Sequence, residues 1–336
     1  MDRLTDLDHA ARRAQRHAAA AALLEDLPPL DALPVHAVAV DRTAVVHASR
    51  SRPVVRWDLT VESAHGEAAH LPVIGKAFVK GDGEQAWRLL RRLRAAGFDD
   101  PVLQVPEPFG FDPARHLLAQ EEAPPVTLHA LLQDELDDAL PAVRRVATWL
   151  ARLHAVPGAD VPALPAHFES HKLTEYATAL AGELPWAADR VRDLTALTVH
   201  RLDRAASDPA VLTHGDFQPK NVHLDQTRVV VIDFDRAALA PAARDLGHFL
   251  GQTLTMGAAM HGHLGAAAAW GRELLDGYVD AGGDPGAVRS TPGYVARTFA
   301  EVLFYRLVVR PVGTEAFVPA WLDAWEQHLD ADGERP

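Results

Sequence analysis

The sequence predicts an α+β protein of two lobes, a small β-rich lobe followed by a larger, mostly helical one. Three observations carry that prediction. The chain has 336 residues, near the length at which a single hydrophobic core stops growing, so two lobes are expected rather than one. From Val35 to Val79 the residues are rich in β-branched types and partly alternate between apolar and polar, the pattern of half-buried strands. Past Pro124–Pro125 the apolar residues recur at helical spacing instead. The expected organisation is an N-terminal helix over residues 1–30, a small lobe over 31–122 and a large lobe over 123–336.

Each element has its own signal. Residues 1–30 are rich in Ala and carry acids and bases throughout. They lack the apolar centre and cleavage site of a signal peptide, and read as a surface helix of a cytoplasmic protein. Strands are expected over Val38–Val46, Pro53–Val61 and Leu71–Lys80, separated by polar turns that contain Gly or Pro. Gly81–Gly83 is a turn with Asp82 as a helix cap. Ala86, Leu89, Leu90 and Leu93 then follow helical spacing until Gly97. A Pro-rich loop (Pro101, Pro106, Pro108, Pro113) and a short strand at His116–Glu121 complete the small lobe. In the large lobe Leu140, Val143, Val146, Ala147, Leu150 and Leu153 mark one helix face. Ala177–His200 reads as one or two further helices, and the chain is helical again after Asp245. The exception is Ala210–Ile232, where apolar runs at Val211–Leu212 and Val229–Ile232 flank a polar loop.

Composition narrows the function. Lys and Arg total 33 and Asp and Glu 46, a formal net charge of −13. Nucleic acid is not the expected partner, because such binders need a net basic face. No run of 18 apolar residues appears, so no membrane span is expected. Cys is absent, which removes disulfide scaffolds, thiol nucleophiles and Cys-ligated zinc. Only four Lys (Lys76, Lys80, Lys172, Lys220), one Asn (Asn221) and two Ile (Ile74, Ile232) occur. Codons for these residues are A/T-rich, so the chain suggests a G+C-biased genome. Under that bias the few that persist point to positions that Arg, Ser or Val cannot fill.

They gather in one stretch, LTHGDFQPKNVHLDQTRVVVIDFDRAALAPAARDL, from Leu212 to Leu246. The carboxylate Asp216 follows a short apolar run, and the lone Asn comes at position 221. A β-branched run then ends in Asp233. An Asn amide oxygen and a carboxylate are hard ligands suited to Mg²⁺. A second carboxylate, free of metal, can take a proton from a hydroxyl. Phosphoryl transfer needs that set, since its catalysis is positioning plus charge neutralisation. A β-hairpin with Asp and Asn as turn formers is the plainer alternative.

The spacing His214-x-Asp216-x₄-Asn221, followed by Ile232-Asp233-Phe234, resembles the catalytic and metal-binding loops of the protein-kinase-like superfamily. HGDFQPKN, with IDFD and PAARDL, is similar to the aminoglycoside phosphotransferase family, which includes choline-, homoserine-, fructosamine- and sugar-kinase relatives. The resemblance implies a bilobal protein-kinase-like fold, with a small antiparallel sheet lobe plus one main helix, and a larger helical lobe. It implies Asp216 as catalytic base, with Asn221 and Asp233 holding Mg²⁺ at the nucleotide phosphates. His214 would fix the loop backbone, and Asp245 would brace the large lobe.

The same resemblance calls for a Lys on the third strand paired with a Glu of the next helix. VIGKAFVK offers Lys76 and Lys80; the family's "GK" favours Lys76, and Glu84 in the first helical turn is its expected partner. Gly75–Lys76 is not a P-loop, since His70 and Ala77 stand where Gly and Ser or Thr are needed. No GxGxxG loop is present. HASRSRP (His47–Pro53) takes the place of a phosphate-covering loop, with backbone amides of Ser49–Ser51 as candidates. LLAQEEAPP (Leu117–Pro125) resembles the inter-lobe hinge, with the Glu121 carbonyl and Ala123 amide meeting adenine. Lys220 either faces the transferred phosphate or points to solvent. Lys172 reads as surface, His261-x-His263 as chance spacing, and Asp134–Asp138 as a solvated helix entrance. Trp270, Tyr278, Phe304, Tyr305, Trp321 and Trp325 read as core, with one or two available to line an acceptor pocket.

The expected function is therefore phosphoryl transfer from ATP (or GTP) to a hydroxyl of an aminoglycoside-like antibiotic, amino sugar or related metabolite. An acidic surface near the cleft would favour a cationic small-molecule acceptor. Only eleven residues separate Asp233 from Asp245, too few for the regulatory loop of a protein kinase. A nucleotide-binding pseudokinase or regulatory partner is the competing reading, motivated by the missing Gly loop. A metal-dependent hydrolase on the same carboxylates is a third. The state of assembly stays open between monomer and homodimer.

Overall fold

The computed structural model describes residues 18, 22, 27–33, 35–49, 51–78, 83–134, 136–158 and 160–330. The helix expected over residues 1–30, the cap at Asp82 and the side chain of Lys80 lie wholly or largely outside them. The chain forms two compact units. One runs to Pro124 and takes in Val230–Asp235; the other holds Pro125–Val229 and everything from Arg236 onward. The sequence reading kept residues 230–235 with the helical lobe. Tertiary contacts, which sequence position does not encode, group them with the first unit. Among the described residues no helix is long and apolar enough to cross a membrane.

The first unit is built on a five-stranded antiparallel sheet. Its strands are β1 (Val35–His47), β2 (Val54–Ser63), β3 (Ala68–Ala77), β5 (Pro108–Asp112) and β6 (Leu117–Glu121), in the order β1-β2-β3-β6-β5; β4 is the short Leu103–Gln104. Alternation sets the faces: Val55, Trp57, Leu59 and Val61 of β2 are buried at every second position. Gly75 of β3 lies under Trp57, and a Cβ there would stand 2.2 Å from the indole ring. The Gly of the GK pair thus admits the Trp57 ring, and Lys76, one residue on, points to the opposite face. The helix α1 (Gly83–Leu93) buries Ala86, Leu89, Leu90 and Leu93, the spacing read from the sequence, and packs on β5 and β6. It widens into a π turn at Arg94–Phe98, where Gly97 has φ 95°.

The second unit is mostly helical. After β7 (Val126–Thr127) come α2 (Leu128–Asp134), α3 (Leu140–His154), α4 (Phe168–Glu183) and α5 (Ala188–Ala205). Pro185 separates α4 from α5. The apolar face expected of α3 is buried at Val143, Val146, Ala147, Leu150 and Leu153. The strands β8 (Ala210–Thr213), β9 (Val222–Leu224), β10 (Val229–Val231) and β11 (Ala238–Pro241) interrupt the helices. Then follow α6 (Ala243–His261), α7 (Ala268–Asp280), α8 (Pro285–Phe304) and α9 (Val318–Asp330). Helix α6 packs along α8, and α3 against α7. One core cluster includes Leu173, Leu180, Val191, Phe299 and Trp325. Trp270, Tyr278, Trp321 and Trp325 are buried, as expected of core aromatics; Tyr305 is 46% exposed.

Candidate active site

The loop after β8 is held rigidly from below. Strand β8 pairs with β11, Thr213 opposite Ala238, and delivers the chain to His214-Gly215-Asp216. Asp245, in the first turn of α6 and fully buried, accepts the His214 N–H at 2.6 Å and the Gly215 N–H at 2.8 Å. The ring of His154 meets the same carboxylate at 3.2 Å, and its other nitrogen meets the Tyr278 hydroxyl at 2.9 Å. Burial pushes the Asp245 carboxyl up, but the hydrogen bond and charge of His154, with His214 and Arg244, hold it below the usual range. Gly215 has φ 82°, and a Cβ there would lie 2.1 Å from the Arg236 carbonyl oxygen. The ring of His214 accepts the Asp216 N–H at 3.2 Å through Nδ1. His214, expected to fix the loop, and Asp245, expected to brace the large lobe, both touch the loop backbone directly.

Asp216 is surrounded by donors. His248 Nε2 on α6 donates to Oδ1 at 3.1 Å, Gln218 Nε2 donates at 3.1 Å, and Arg236 Nη1 lies at 3.9 Å. Burial alone would raise its pKa; the hydrogen bond and charge of His248, with Arg236 and His214, overcome that and hold it far below the usual carboxylate range. Asn221 donates from Nδ2 to the Asp216 carbonyl at 2.9 Å. That bond fixes which end of the amide is nitrogen.

A second layer lies behind His248. Its Nδ1 is 3.5 Å from Thr298 Oγ1 and 3.7 Å from Glu301 Oε2 on α8. Glu301 also pairs with Arg297 and, at 3.8 Å, with Arg236. Arg297 and Arg244 each hold one oxygen of Glu169 at 2.8 Å. Burial pushes the Glu169 carboxyl up, but the two guanidinium groups bring it down to about 2. Sequence reasoning missed His248, Arg236 and Glu301. Their spacing relative to Asp216 carries no periodic signal; only PAARDLGH, which places His248 three residues after Asp245 on the helix, hints at one.

A cavity of about 540 Å³ opens beside Asp216. Gln218, Lys220, Arg236 and Glu301 line it together with Asp216, and His129 joins from α2. Met256, Ala259, Met260 and Val302 form an apolar wall. Tyr305 and Arg306 stand on the π turn Tyr305–Val309 that ends α8. Lys220, left open by the sequence, thus faces this cavity, and Tyr305 is the aromatic that lines it. Burial and the Lys220 charge hold the His129 pKa down. His261 donates from Nε2 to the Leu132 carbonyl at 2.8 Å, a structural contact.

The first unit carries its own charged cluster. Lys76 Nζ lies 2.7 Å from Asp233 Oδ1 and 2.8 Å from Asp235 Oδ1. Arg52 Nε lies 2.8 Å from Asp235 Oδ2. Both cations flank the Phe78 ring, at 5.3 and 5.9 Å from its centre. Asp233 has φ 72°, rare for a residue with a Cβ. Burial, then the neighbouring Asp233, push the Asp235 carboxyl up despite the two cations. The pair expected between Lys76 and Glu84 is not formed. Glu84 sits exposed on the first turn of α1 and bonds Arg88, one turn along, at 2.6 Å. In the β1–β2 turn Ser49 Oγ accepts the amides of Ser51 and Arg52, each at 3.3 Å. The Ser51 amide is thus used inside its own turn, and Arg52 is what the turn adds to the cluster. Strand β6 ends at Glu121, whose N–H donates to the Glu107 carbonyl at 2.8 Å; Ala123 follows in the irregular stretch 122–124.

Mg²⁺ prefers hard oxygens and keeps several for water and phosphate. The Asn221 amide oxygen and the Asp233 carboxylate are such donors. Among the described residues no group of three or more His, Cys, Asp or Glu side chains could hold a metal by itself.

The fold has known counterparts. A choline/ethanolamine kinase family protein from Mesorhizobium loti is 17% identical with a TM-score of 0.55, over 88% of this chain and 89% of the other. A glucosamine kinase is 18% identical at TM-score 0.53, over 92% and 98%. An amicoumacin kinase in complex with AMP-PNP, Ca²⁺ and Ami is 13% identical at 0.55, over 98% and 94%. At these identities the likeness is one of fold. Comparison with curated proteins finds no match. The model of the phosphotransferase enzyme family, APH, matches residues 76–289, more than half of the chain and the whole stretch from Lys76 through Asp245. With that match, the chain belongs to the APH phosphotransferase enzyme family, whose members transfer phosphoryl groups to hydroxyls of small molecules.

Proposed function

We propose that the protein is an ATP-dependent small-molecule kinase that uses Asp216 as its base. The observation that carries this reading is the Asp216 carboxylate, kept anionic by His248, at the edge of a cavity of about 540 Å³. That volume suits a small molecule. The acceptor hydroxyl enters with its proton toward Asp216. Its oxygen forms a new bond to the γ-phosphorus, the bond from γ-phosphorus to the β-γ bridging oxygen breaks, and the nucleoside diphosphate leaves. The proton passes to Asp216. So acidic a carboxylate orients the hydroxyl early and accepts the proton late, as suits a loose phosphoryl-transfer transition state. Lys76 and Arg52 are proposed to engage nucleotide phosphates. Glu121 and Ala123 keep the adenine contact expected of a hinge. Asn221 and Asp233 would hold Mg²⁺, which supplies neutralisation of phosphate charge when bound.

The acceptor is a hydroxyl compound: an aminoglycoside-like antibiotic, an amino sugar or a related metabolite. The test is nucleotide-dependent phosphorylation over a panel spanning these classes, followed by mass spectrometry of the product. Wild type should phosphorylate at least one class, and Asp216→Asn should lose transfer by about 10²- to 10⁴-fold while still binding nucleotide. Equal turnover by both proteins would remove Asp216 as base. Nucleotide binding with no transfer to any acceptor would favour a pseudokinase.

A further inference from the structure

The charges that line the cavity are already partly spent, and they are spent unevenly. Its two carboxylates are Asp216 and Glu301. Asp216 is engaged by His248, Gln218 and Arg236. Glu301 is engaged by Arg297, His248 and Arg236. The Asp216 contacts fall on Oδ1, and its Oδ2, 3.4 Å from the Asn221 amide, is left for the acceptor hydroxyl. Both oxygens of Glu301 already have a guanidinium neighbour. The cavity's cations are Lys220, Arg236 and Arg306. Of these, only Arg236 stands within ion-pair distance of a carboxylate among the described residues.

Arg306 is the most informative. The π turn at Tyr305–Val309 places it on the cavity wall, and such turns often sit at functional positions. Its guanidinium lies 4.9 Å from the Phe317 ring centre and 5.4 Å from that of Trp321. The two rings fix the plane of the fork without neutralising it. Its Nε is buried and makes no hydrogen bond. Nε is thus closed to a ligand, and a carboxylate would be met by the planar pair of terminal Nη groups, a geometry that takes both its oxygens in parallel hydrogen bonds. Met256, Ala259, Met260 and Val302 supply an apolar wall in the same cavity.

We propose that the acceptor is a hydroxy acid, with its hydroxyl at Asp216, its carboxylate on Arg306 and an apolar segment along Met256, Ala259, Met260 and Val302. This rests on the kinase reading above, and it narrows the acceptor to an anionic metabolite, away from a polycationic aminoglycoside. Lys220 and Arg236, which line the same cavity, are left to the transferred phosphoryl group.

Three probes share one skeleton: 6-hydroxyhexanoate, 6-hydroxyhexanamide and 6-aminohexan-1-ol, with kanamycin as a polycation. Binding to the full-length protein is measured by calorimetry and ligand-observed NMR, and transfer is measured in parallel. The carboxylate should bind about tenfold more tightly than the amide or the amine, the size of one charge-assisted contact. Arg306→Gln should erase that preference, and Arg306→Lys should keep most of it; thermal unfolding checks that both variants are folded. Stronger binding of the amine or kanamycin, a preference that survives Arg306→Gln, or no detectable binding of any probe would overturn the proposal. Loss of the kinase reading looks different: transfer would then be absent or unchanged in Asp216→Asn, whatever the charge preference in binding.

Discussion

His248 Nε2 donates to Asp216 Oδ1 at 3.1 Å, from a helix that begins 27 residues after the aspartate. A carboxylate can only accept, so Nε2 carries the proton and Nδ1 faces Thr298 and Glu301. The base is therefore set by a second residue that takes no part in the loop's motif.

Removing that donor should be visible in the pH profile. His248→Ala lets burial dominate, so the Asp216 pKa rises. The acidic limb of kcat/KM then moves to higher pH, because the base is protonated over more of the range. The loss at neutral pH should be about tenfold, the worth of one charge-assisted hydrogen bond. His248→Gln, which keeps an N–H donor, should restore part of it. A pH–rate series on the three proteins decides this.

Gly215 is required twice, by its φ of 82° and by the Arg236 carbonyl 2.1 Å from where a Cβ would sit. Gly215→Ala should cost about 2 kcal/mol or more in denaturant unfolding. It should also depress transfer beyond the stability loss, since the same backbone positions Asp216. An active, fully stable Gly215→Ala protein would show that the loop has slack.

Glu169 should contribute to the acid sensitivity of the helical unit. Its carboxyl is held down to about 2 between Arg244 and Arg297, below the ordinary value of 4.5. The unfolded state then binds more protons between these values, so stability is complete above about 4.5 and falls as pH drops toward 2. The expected loss is about 3 kcal/mol over that window. Glu169→Gln should be less stable at pH 7, with two buried cations unpaired, but should lose less on acidification. Urea unfolding at pH 7 and pH 3.5 measures both.

Lys76 and Glu84 should behave independently. Lys76→Ala leaves the buried Asp235 beside Asp233 with Arg52 as its remaining cation, and should destabilise by about 3 kcal/mol and weaken nucleotide binding about tenfold or more. Glu84→Ala removes an exposed pair worth about 0.5 kcal/mol and should leave nucleotide binding unchanged. Calorimetric titration with a non-hydrolysable ATP analogue compares them.

What the sequence by itself determined is local. The strand carrying Lys76, the helix face of Ala86 to Leu93, and the five-residue step from Asp216 to the lone Asn221 follow from periodicity and from short-range backbone geometry. These interactions close within a turn or a few residues, so spacing reports them. The tertiary structure decided the partners. Lys76 meets Asp233 and Asp235 across 157 and 159 positions of chain, where the sequence offered Glu84 as the nearest acid. His248, Arg236 and Glu301 reach Asp216 or each other only because α6 packs along α8. The charge balance of the cavity follows from the same packing. The net charge of −13 is a sum over the whole surface, whereas the cavity shows only the few side chains that packing turns inward, and there the unspent charges are positive.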